Sequence, residues 1–340
     1  MPSARVKSCS EPTKLLTIAI PHFNDEAGLL STIQFLAKED LNGVEVIVSD
    51  NGSGISFTKT EPELFALIND LKVFKNRSNL GYDKNLNIAV SKSTGKFVWF
   101  LGCDDKPAKG CLPILMKTLN DNSDTTSLLL RVQTDRCKIG GGPDNTFTKI
   151  SAGKIGTNIE DLYNSALSGN VVNRQHWLAA TKKDLQFENW CHVERSLQMH
   201  ANTASNPYSL RMSTASVIVK RHDRGWWNED DGSFLRNVLL HREVIAYYHR
   251  MERLTNCTLP EFCESPSKTI IKAILYSRSI AQKAPPKIHR DNCKMIEQSL
   301  MHYAIYQTVK VIPKTIIRST FNIIRSLKSL TAVRQKFCLF

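Results

Sequence analysis

The sequence has few of the features that mark a secreted, membrane-spanning or disulfide-stabilised protein. Its first residues, MPSARVKSCSEPTK, contain no apolar stretch of the kind found in a secretory signal. No apolar run reaches the roughly 18 residues that a membrane-spanning helix requires. The nine cysteines form no CxxC pair, and their odd number favours reduced thiols over a disulfide framework. These absences predict a cytoplasmic protein that is soluble or touches a membrane only from one side.

Two phosphate-binding signatures are also missing. The sequence contains neither GxxxxGK[ST] nor a GxGxxG followed by a helix. The Gly-rich stretch 135–158 has little periodicity and is predicted to be a mobile or hairpin-forming loop. Nucleic-acid binding is not expected, because the basic residues carry no recognisable motif and no interleaved aromatic residues.

Basic residues are in surplus. Lys and Arg number 45 against 32 Asp and Glu, which gives a formal net charge of +13 and favours anionic partners. Residues 301–340 contain seven Lys and Arg, no Asp or Glu, and apolar residues between the charges. This segment is predicted to be either a basic amphipathic helix in an anionic headgroup layer or a helix packed on the domain with a solvated basic rim.

The first third of the chain alternates between buried strands and amphipathic helices. Apolar runs predict strands at 15–20, 44–50, 72–76 and 96–102, and helical spacing predicts helices at 26–39, 62–71 and 84–93. Such alternation implies βαβ units and a parallel sheet covered on both faces. Further along, the pattern predicts helices at 159–167 and 190–200, a strand at 216–222 and mostly helix beyond 233.

Polar, turn-forming residues follow each predicted strand. Ligands of open α/β sheets bind at the carboxyl ends of the parallel strands, so these residues are predicted to converge on one crevice. The candidates are Pro21, His22, Phe23 and Asn24, then Asp50, Asn51, Gly52 and Ser53, then Asn79, Gly81, Asp83, Lys84 and Asn85, and finally Asp104 and Asp105.

The adjacent carboxylates of Asp104 and Asp105 allow two interpretations. They suit a hard divalent cation that takes few carboxylates and completes its shell with water and phosphate oxygens. Alternatively they cap a following helix whose first residue is Pro107, where they would meet the helix dipole. The residues alone leave both open.

The segments TIAIPHFN, VEVIVSDNGS and NLGYDKNLNIAVSKSTGKFVWFLGCDD, in this order, resemble the motifs of family-two nucleotide-sugar glycosyltransferases of GT-A fold. The most similar subgroup is that of bacterial O-antigen and capsule enzymes such as abequosyltransferases. The resemblance covers residues 14–120, and SGNVVNRQHWL (168–178) and NWCHVERSL (189–197) are similar to acceptor-side elements of that subgroup.

The resemblance implies an α/β fold: a GT-A (Rossmann-like), mostly parallel sheet flanked by helices, with a mainly helical C-terminal extension. A tail (1–13) would precede a glycosyltransferase domain (14–230) composed of a donor half (14–120) and an acceptor half (121–230). Residues 231–340 would form the helical region.

Site residues follow from the same resemblance. The nucleotide-sugar would be bound by Pro21, Phe23, Asn24, Asp50, Asn51, Gly52, Asn79, Gly81, Tyr82, Lys84 and Asn85. The family usually carries an acid at the position of Gly102, and the subgroup one at Cys103. The usual Asp-x-Asp is therefore incomplete, and Mg²⁺ or Mn²⁺ would rest on Asp104 and Asp105.

A catalytic base is sought in FENWCHVERSLQMH (187–200), which contains Glu188, His192 and Glu194. Helical spacing puts positions 188 and 192 on one face and 194 roughly opposite. We predict His192 as the base, because its unperturbed pKa suits proton transfer near neutral pH, with Glu188 positioning it or the acceptor. Glu188 remains an alternative base. In a third interpretation, His192 only packs or hydrogen bonds within the helix and has no catalytic role.

The implied function is transfer of a hexosyl or deoxyhexosyl group from a nucleotide-diphosphate sugar to a saccharide acceptor. That acceptor would be polyprenyl-diphosphate-linked, in surface polysaccharide or O-antigen biosynthesis at the inner face of the cytoplasmic membrane. One alternative is a nucleotidyl- or phosphotransferase. Such enzymes usually have a Gly-rich loop with Lys or Arg near the N-terminus, and the segment PHFNDEAG is not of that kind. The other alternative is a carbohydrate-binding protein with a decayed catalytic site, which the missing acid at positions 102 and 103 leaves open.

Overall fold

The computed structural model describes residues 14–54, 62–69, 71–134, 147–152, 154–202, 207–219, 233–251, 254–260 and 263. Backbone contacts divide the chain into two units, residues 1–220 with 251–257 and residues 221–250 with 258–340. The predicted N-terminal tail, the predicted domain boundary at 230 and the basic segment 301–340 lie outside the described residues.

The first unit is built on a sheet of nine strands among the described residues. These are β1 (Lys14–His22), β2 (Val44–Asp50), β3 (Leu71–Lys75), β4 (Gly95–Phe100), β5 (Lys106–Pro107), β6 (Ser127–Thr134), β7 (Phe147–Ser151), β8 (Asn170–Asn173) and β9 (Tyr208–Val219). The strand order is β3-β2-β1-β4-β8-β6-β9-β5, with β7 paired to β9.

Helices connect and cover these strands. The first unit contains α1 (Glu26–Leu36), α2 (Pro62–Ala66), α3 (Tyr82–Lys92), α4 (Cys111–Asp121), α5 (Arg174–Ala180) and α6 (Cys191–Asn202), and the second contains α7 (Ser233–His249). Two short 3₁₀ helices span Ile159–Leu162 and Leu167–Gly169. Across the part of the chain that the structure describes, no helix combines the length and apolar character needed to cross a bilayer.

The first four strands are all parallel, as the alternation predicts. β1 lies between β2 and β4, so its apolar run is buried on both faces. Beyond β4 the sheet is mixed, because β8 runs antiparallel to both β4 and β6, whereas β6 and β9 are parallel. The four parallel strands therefore end at one edge, and the later strands extend the sheet sideways.

Two apolar clusters hold the sheet between its helices. Alternate residues of β1 point to opposite faces, as the two-residue period of a strand requires. Leu16, Ile18 and Ile20 join one cluster with residues of α1 and α4. Ala19 joins the other, where Phe100 packs on Trp177 of α5 with ring centroids 5.0 Å apart. Burying each large side chain contributes about 1.5–3 kcal/mol.

α4 begins later than predicted. Gly110, with φ of 74°, precedes its first turn, and Lys106–Pro107 pair with β9 as a short edge strand. The prediction that Pro107 opens a helix is wrong, because an edge strand also accepts the fixed φ and missing N–H of proline. Asp104 and Asp105 therefore do not cap this helix.

The predicted helix at 159–167 is also wrong. Asn164 and Asn170 hydrogen bond to nearby backbone groups, including Asn164 Nδ2 to Leu130 O at 2.9 Å and Asn170 Nδ2 to Ala166 O at 2.8 Å. Such side-chain bonds to the backbone compete with helical hydrogen bonds. The chain here takes 3₁₀ turns instead. No strand was predicted at β6 or β8.

Glu45 is a fully buried carboxylate that joins three segments. Its Oε2 accepts hydrogen bonds from Thr17 Oγ1 at 2.6 Å and Thr94 N at 2.7 Å, and its Oε1 accepts one from Lys72 Nζ at 2.7 Å. Burial raises the pKa of Glu45, but the hydrogen bonds from Lys72, Thr17 and Thr94 outweigh burial and hold that pKa below its ordinary value.

We expect Glu45→Gln to lower the free energy of unfolding by about 2 kcal/mol at pH 7, because an amide cannot accept from all three donors. The native pKa is the lower one, so the carboxylate's contribution is complete above the unfolded-state pKa. It is lost as the pH falls through the native pKa. Urea unfolding between pH 3 and 7 should therefore show the difference between variant and parent shrinking towards acid.

Asp121→Asn is the matched control, since it removes an exposed carboxylate that pairs with Lys117. We expect that change to stay within about 0.5 kcal/mol. Equal losses in the two variants would contradict a special role for Glu45.

Candidate active site

The carboxyl ends of β1, β2, β3 and β4 open into four loops along one edge of the sheet. Backbone hydrogen bonds tie the neighbouring strand ends together: Asn51 N donates to His22 O at 2.8 Å, and Asn76 N donates to Asp50 O at 2.8 Å. Most of the residues predicted to bind a nucleotide-sugar therefore lie in neighbouring loops along this edge.

Asp50 is buried at the end of β2 with its carboxylate held by neighbours. Its Oδ1 accepts the Ser53 N–H at 3.0 Å and lies 3.4 Å from Nδ1 of His22. Nε2 of His22 accepts the Asp25 N–H at 3.1 Å, so the ring proton resides on Nδ1 and faces Asp50. Burial lowers the pKa of His22, which keeps the ring neutral. His22 was expected at the crevice from its position after β1, but its pairing with Asp50 was not predicted.

Asn51 organises the loop that follows β3. Its Oδ1 accepts from Leu80 N at 2.9 Å and Asn76 Nδ2 at 3.2 Å. Its Nδ2 donates to Asn79 Oδ1 at 2.7 Å and to Gly81 O at 3.3 Å. One buried amide thus uses both its oxygen and its nitrogen to shape the exposed turn 79–81.

The loops after β1 and β2 are also joined to their neighbours. Gly52 has φ of 81°, and a Cβ placed on it would lie 2.5 Å from the carbonyl carbon of Ser78, so only glycine fits. Asn24, with φ of 52°, donates its N–H to Ser53 Oγ at 2.9 Å. The three loops therefore form one connected rim.

Three other predicted donor-binding residues lie at this rim. Phe23 exposes 44% of its surface, which leaves an apolar ring face open to solvent beside the loop of Asp50. Lys84 is exposed in the first turn of α3, and Pro21 is half-buried near the end of β1.

Asn85 is placed differently from the prediction. It is buried beneath the rim, where its Nδ2 donates to Ser49 O at 2.9 Å. Its Oδ1 accepts from Ser49 Oγ at 2.8 Å and Asn76 Nδ2 at 3.1 Å. With its amide occupied by β2 and the loop after β3, Asn85 supports the site from below and does not face a ligand.

The two carboxylates after β4 have unequal environments. Asp105 is buried, and its Oδ2 accepts a hydrogen bond from Ser168 Oγ, while Asp104 is only half-buried. A Cβ placed on Gly102 would lie 2.7 Å from Asp105 Oδ2 and 3.3 Å from Asp104 Oδ1. The space that an acid at position 102 would enter is thus already lined by these two carboxylates.

This pair fits a hard divalent cation in part. Mg²⁺ and Mn²⁺ need only one or two protein carboxylates when phosphate oxygens and water complete the shell. Within the described ranges, no group of three or more His, Cys, Asp or Glu side chains is arranged to hold a metal. Cys103 adds no ligand: its Sγ lies 3.5 Å from Asp25 Oδ2, and burial raises the pKa of the thiol, which keeps it protonated.

His192 is enclosed between two other elements. Its Nε2 lies 2.9 Å from the Ser165 carbonyl, which only accepts, so Nε2 carries the proton and Nδ1 accepts from the Tyr82 hydroxyl at 3.0 Å. Burial lowers the pKa of His192 to about 4. Both ring nitrogens are thus occupied by the protein, and this geometry favours the packing alternative for His192 over the predicted base. Tyr82 likewise points to this histidine.

Glu188 and Glu194 also differ from the predicted arrangement. α6 begins at Cys191, so Glu188 lies in the preceding turn, and the prediction that it shares a helical face with His192 is wrong. Glu194 is fully buried, with Oε1 accepting from Gln186 N at 2.7 Å and Oε2 from Phe187 N at 3.2 Å. Of the three candidates, Glu188 alone is exposed to solvent.

Residues 17–176 match the family model described as Glycosyl transferase family 2. A GalNAc(5)-diNAcBac-PP-undecaprenol beta-1,3-glucosyltransferase of Campylobacter jejuni is 30% identical over 107 residues, which cover 31% of this chain and 35% of that protein. An uncharacterized glycosyltransferase of Haemophilus influenzae is 21% identical over 296 residues, covering 78% of this chain and 91% of the relative. The chain thus spans about a third of the first relative and most of the second.

Solved structures share the fold. The crystal structure of S. aureus TarS 1-349 covers 91% of each chain with a TM-score of 0.53 at 14% identity. The mannosyltransferase PcManGT of Pyrobaculum calidifontis, in complex with GDP-Man and Mn²⁺, has a TM-score of 0.54 at 13% identity and covers 92% of this chain and 88% of that one. Residues 17–176 therefore match the glycosyl transferase family 2 model, and the likenesses to solved structures show a GT-A-like fold.

Proposed function

We propose that this protein is a glycosyltransferase that moves a sugar from a nucleotide-diphosphate sugar to a saccharide acceptor. One observation supports this most directly: the family match at 17–176 spans the loops that meet at the carboxyl edge of the sheet. Those loops place a buried carboxylate, a shaped turn and a pair of acids along one rim, which are the groups that recognition of a base, a sugar diphosphate and a cation requires.

The donor's nucleoside would lie along the loops after β1 and β2. Asp50, oriented by His22 and Ser53, is an acceptor prepared for a base N–H, and the exposed ring of Phe23 offers an apolar face for stacking. The turn that Asn51 shapes, with Lys84 beside it, would contact the ribose or the diphosphate. In this arrangement, the protein groups that would contact the nucleotide are already held in position by their own hydrogen bonds.

Asp104, with Asp105 behind it, would hold Mg²⁺ or Mn²⁺ against the diphosphate. A bound cation neutralises the leaving nucleoside diphosphate without needing a proton. Asp105 is buried and hydrogen bonded by Ser168, and Asp104 is half-buried, so Asp104 is the more accessible carboxylate of the two. The two acids lining the space at Gly102 weigh against a decayed site, because the acid missing from the motif is replaced in space.

Glu188 would act as the base that takes the proton of the acceptor hydroxyl. The oxocarbenium-like sugar needs the acceptor oxygen in line and relieved of its proton. His192, predicted as the base from the sequence, would support Tyr82 and Ser165 in this scheme, because neither of its ring nitrogens is available to an acceptor.

The acceptor would be a saccharide on a polyprenyl diphosphate, in surface polysaccharide or O-antigen synthesis at the inner membrane face. The Campylobacter relative is a glucosyltransferase named for an undecaprenol-linked glycan. The net charge of +13 favours both a diphosphate-linked acceptor and an anionic bilayer. The protein would then be cytoplasmic and peripheral to the membrane.

Nucleotide binding tests the donor and the metal together. In a panel of UDP, GDP, CDP and dTDP, we expect one diphosphate to raise Tm by about 2–4 °C at saturating concentration, and more with Mn²⁺ than without it. Asp104→Asn should abolish the Mn²⁺-dependent part and sugar transfer, because it removes the more open carboxylate. The exposed Asp121→Asn is the control and should behave like the parent.

Two outcomes would contradict this prediction separately. Full transfer activity in EDTA would contradict the proposed role of the metal but not the proposed glycosyltransferase activity. Absence of both nucleotide stabilisation and transfer from any nucleotide-diphosphate sugar would remove the proposed function.

The base assignment is tested by comparing Glu188→Gln with His192→Asn. We expect Glu188→Gln to lower kcat by at least about 10²-fold with nucleotide Kd unchanged, and to remove the acid limb of the pH–kcat profile. His192→Asn should lower the free energy of unfolding by about 1–2 kcal/mol and keep that limb. If the limb disappears in His192→Asn while stability is preserved, His192 is the base after all.

Membrane association is tested with vesicles. We expect the full chain to sediment with vesicles containing about a third anionic lipid, and to dissociate as salt rises, since the attraction is electrostatic. A chain ending at residue 300 should bind less. Equal sedimentation of the two chains would contradict the role of the basic segment 301–340.

A further inference from the structure

Asp83, in the first turn of α3, holds the backbone of a distant segment. Its Oδ2 accepts the N–H of Asn189 at 2.7 Å, and its Oδ1 accepts the N–H of Cys191 at 3.1 Å. Both carboxylate oxygens therefore bind amides that lie more than a hundred residues along the chain. Hydrogen bonds from amides to a carboxylate are roughly twice as strong as those between neutral groups.

The two amides have little alternative within their own segment. Cys191 is the first residue of α6, and the first N–H groups of a helix lack a partner inside that helix. Asn189 has φ of 64°, a left-handed conformation that asparagine adopts more readily than most residues with a side chain. Asp83 thus caps α6 from another element and holds this turn.

The turn held in this way carries Glu188, which immediately precedes Asn189. Because Asp83 Oδ2 accepts the N–H of the residue that follows Glu188, the turn that carries Glu188 lies at the start of α3. Burial is the main reason that the pKa of Asp83 is raised; the hydrogen bonds from Asn189 and Cys191 oppose this rise, and the charge of Glu188 adds to it.

The start of α3 lies at the donor-binding edge of the sheet. α3 follows directly on the turn 79–81, which Asn51 shapes. Tyr82, the residue before Asp83, makes a second link to α6 through His192. Two consecutive side chains therefore fix the beginning of α6 at the edge where the donor would bind.

We propose that Asp83 is a positioning residue for transfer: it fixes the turn 188–191 so that the carboxylate of Glu188 is held at the donor-binding edge. This inference rests on the proposed function, in which Glu188 takes the proton of the acceptor hydroxyl. Asp83 itself touches neither the proton nor the substrate. Its effect on the reaction passes through the backbone of Asn189 and Cys191.

The test is a double-mutant cycle between Asp83→Asn and Glu188→Gln. An asparagine offers one acceptor oxygen, and its NH₂ faces the second N–H, so one of the two bonds is lost. We expect Asp83→Asn alone to lower kcat about 10- to 100-fold with nucleotide Kd within twofold, because a base displaced by about 1 Å loses that much. In the Glu188→Gln background, the same change should lower kcat by less than twofold.

Asp184→Asn is the matched control, since Asp184 is an exposed acid in the same connecting segment. It should leave kcat unchanged in both backgrounds. Hydrogen exchange followed by mass spectrometry supplies a readout that needs no substrate: Asp83→Asn should speed exchange at least tenfold in residues 187–192 and leave exchange in β1 and β2 unaltered.

Three results would overturn the proposal. The first is unchanged kcat in Asp83→Asn, and the second is an equal loss of kcat in both backgrounds, which indicates a general structural role. The third is unchanged exchange in residues 187–192. Failure of the proposed function is distinguishable, because it would appear in the parent chain as absence of transfer and of nucleotide binding, whatever the exchange data show.

Discussion

The site depends on one constraint: buried polar groups at the ends of the parallel strands must be hydrogen bonded. Where β2 ends, the side-chain amides of Asn51 and Asn85 and the carboxylate of Asp50 bind backbone groups, and Asn76 Nδ2 donates to both Asn51 and Asn85. An unsatisfied buried group would cost about 1–3 kcal/mol, so these contacts stabilise the fold. The same contacts shape the loops, and the rim therefore takes its shape from the protein's own hydrogen bonds.

Two pairs of acidic residues each contain one buried member and one more exposed member. Asp105 is buried against Ser168, while Asp104 beside it is more exposed. Glu194 binds backbone amides inside the protein, while Glu188 lies exposed in the turn before α6. Glu194 therefore stabilises the backbone just before Glu188, whereas Asp105 is held by the Ser168 side chain next to Asp104.

Local patterns predicted the donor half of the fold well. The strand predicted at 44–50 matches β2, because a short segment rich in Val and Ile and bounded by turn residues is typical of a strand buried on both faces. The same logic failed at Pro107 and at 159–167, where the outcome depends on pairing with β9 and on side-chain amides that bond to the backbone. Those partners are distant in sequence, so no local period reveals them.

Most predicted site residues lie at the carboxyl ends of the parallel strands, as the strand-end pattern predicts, and their binding of a nucleotide-sugar stays a prediction. The roles of Asn85, His22 and His192 were not, because a side chain's role depends on its partners. Tyr82 lies 110 residues from His192, and Asp50 lies 28 from His22. Polar residues that contact a ligand and polar residues that only support the site are of the same types and occur at the same spacing. The sequence therefore does not distinguish the two roles.

The first turn of α3 shows why bracing and function are hard to separate in this protein. Tyr82 and Asp83 follow the donor loop without interruption, yet both side chains bind the beginning of α6. The turn 79–81 and the turn 188–191 are therefore both anchored on the first turn of α3. In the proposed function, glycosyl transfer needs donor and acceptor in line within a fraction of an ångström, and a common anchor for both sides would satisfy that requirement.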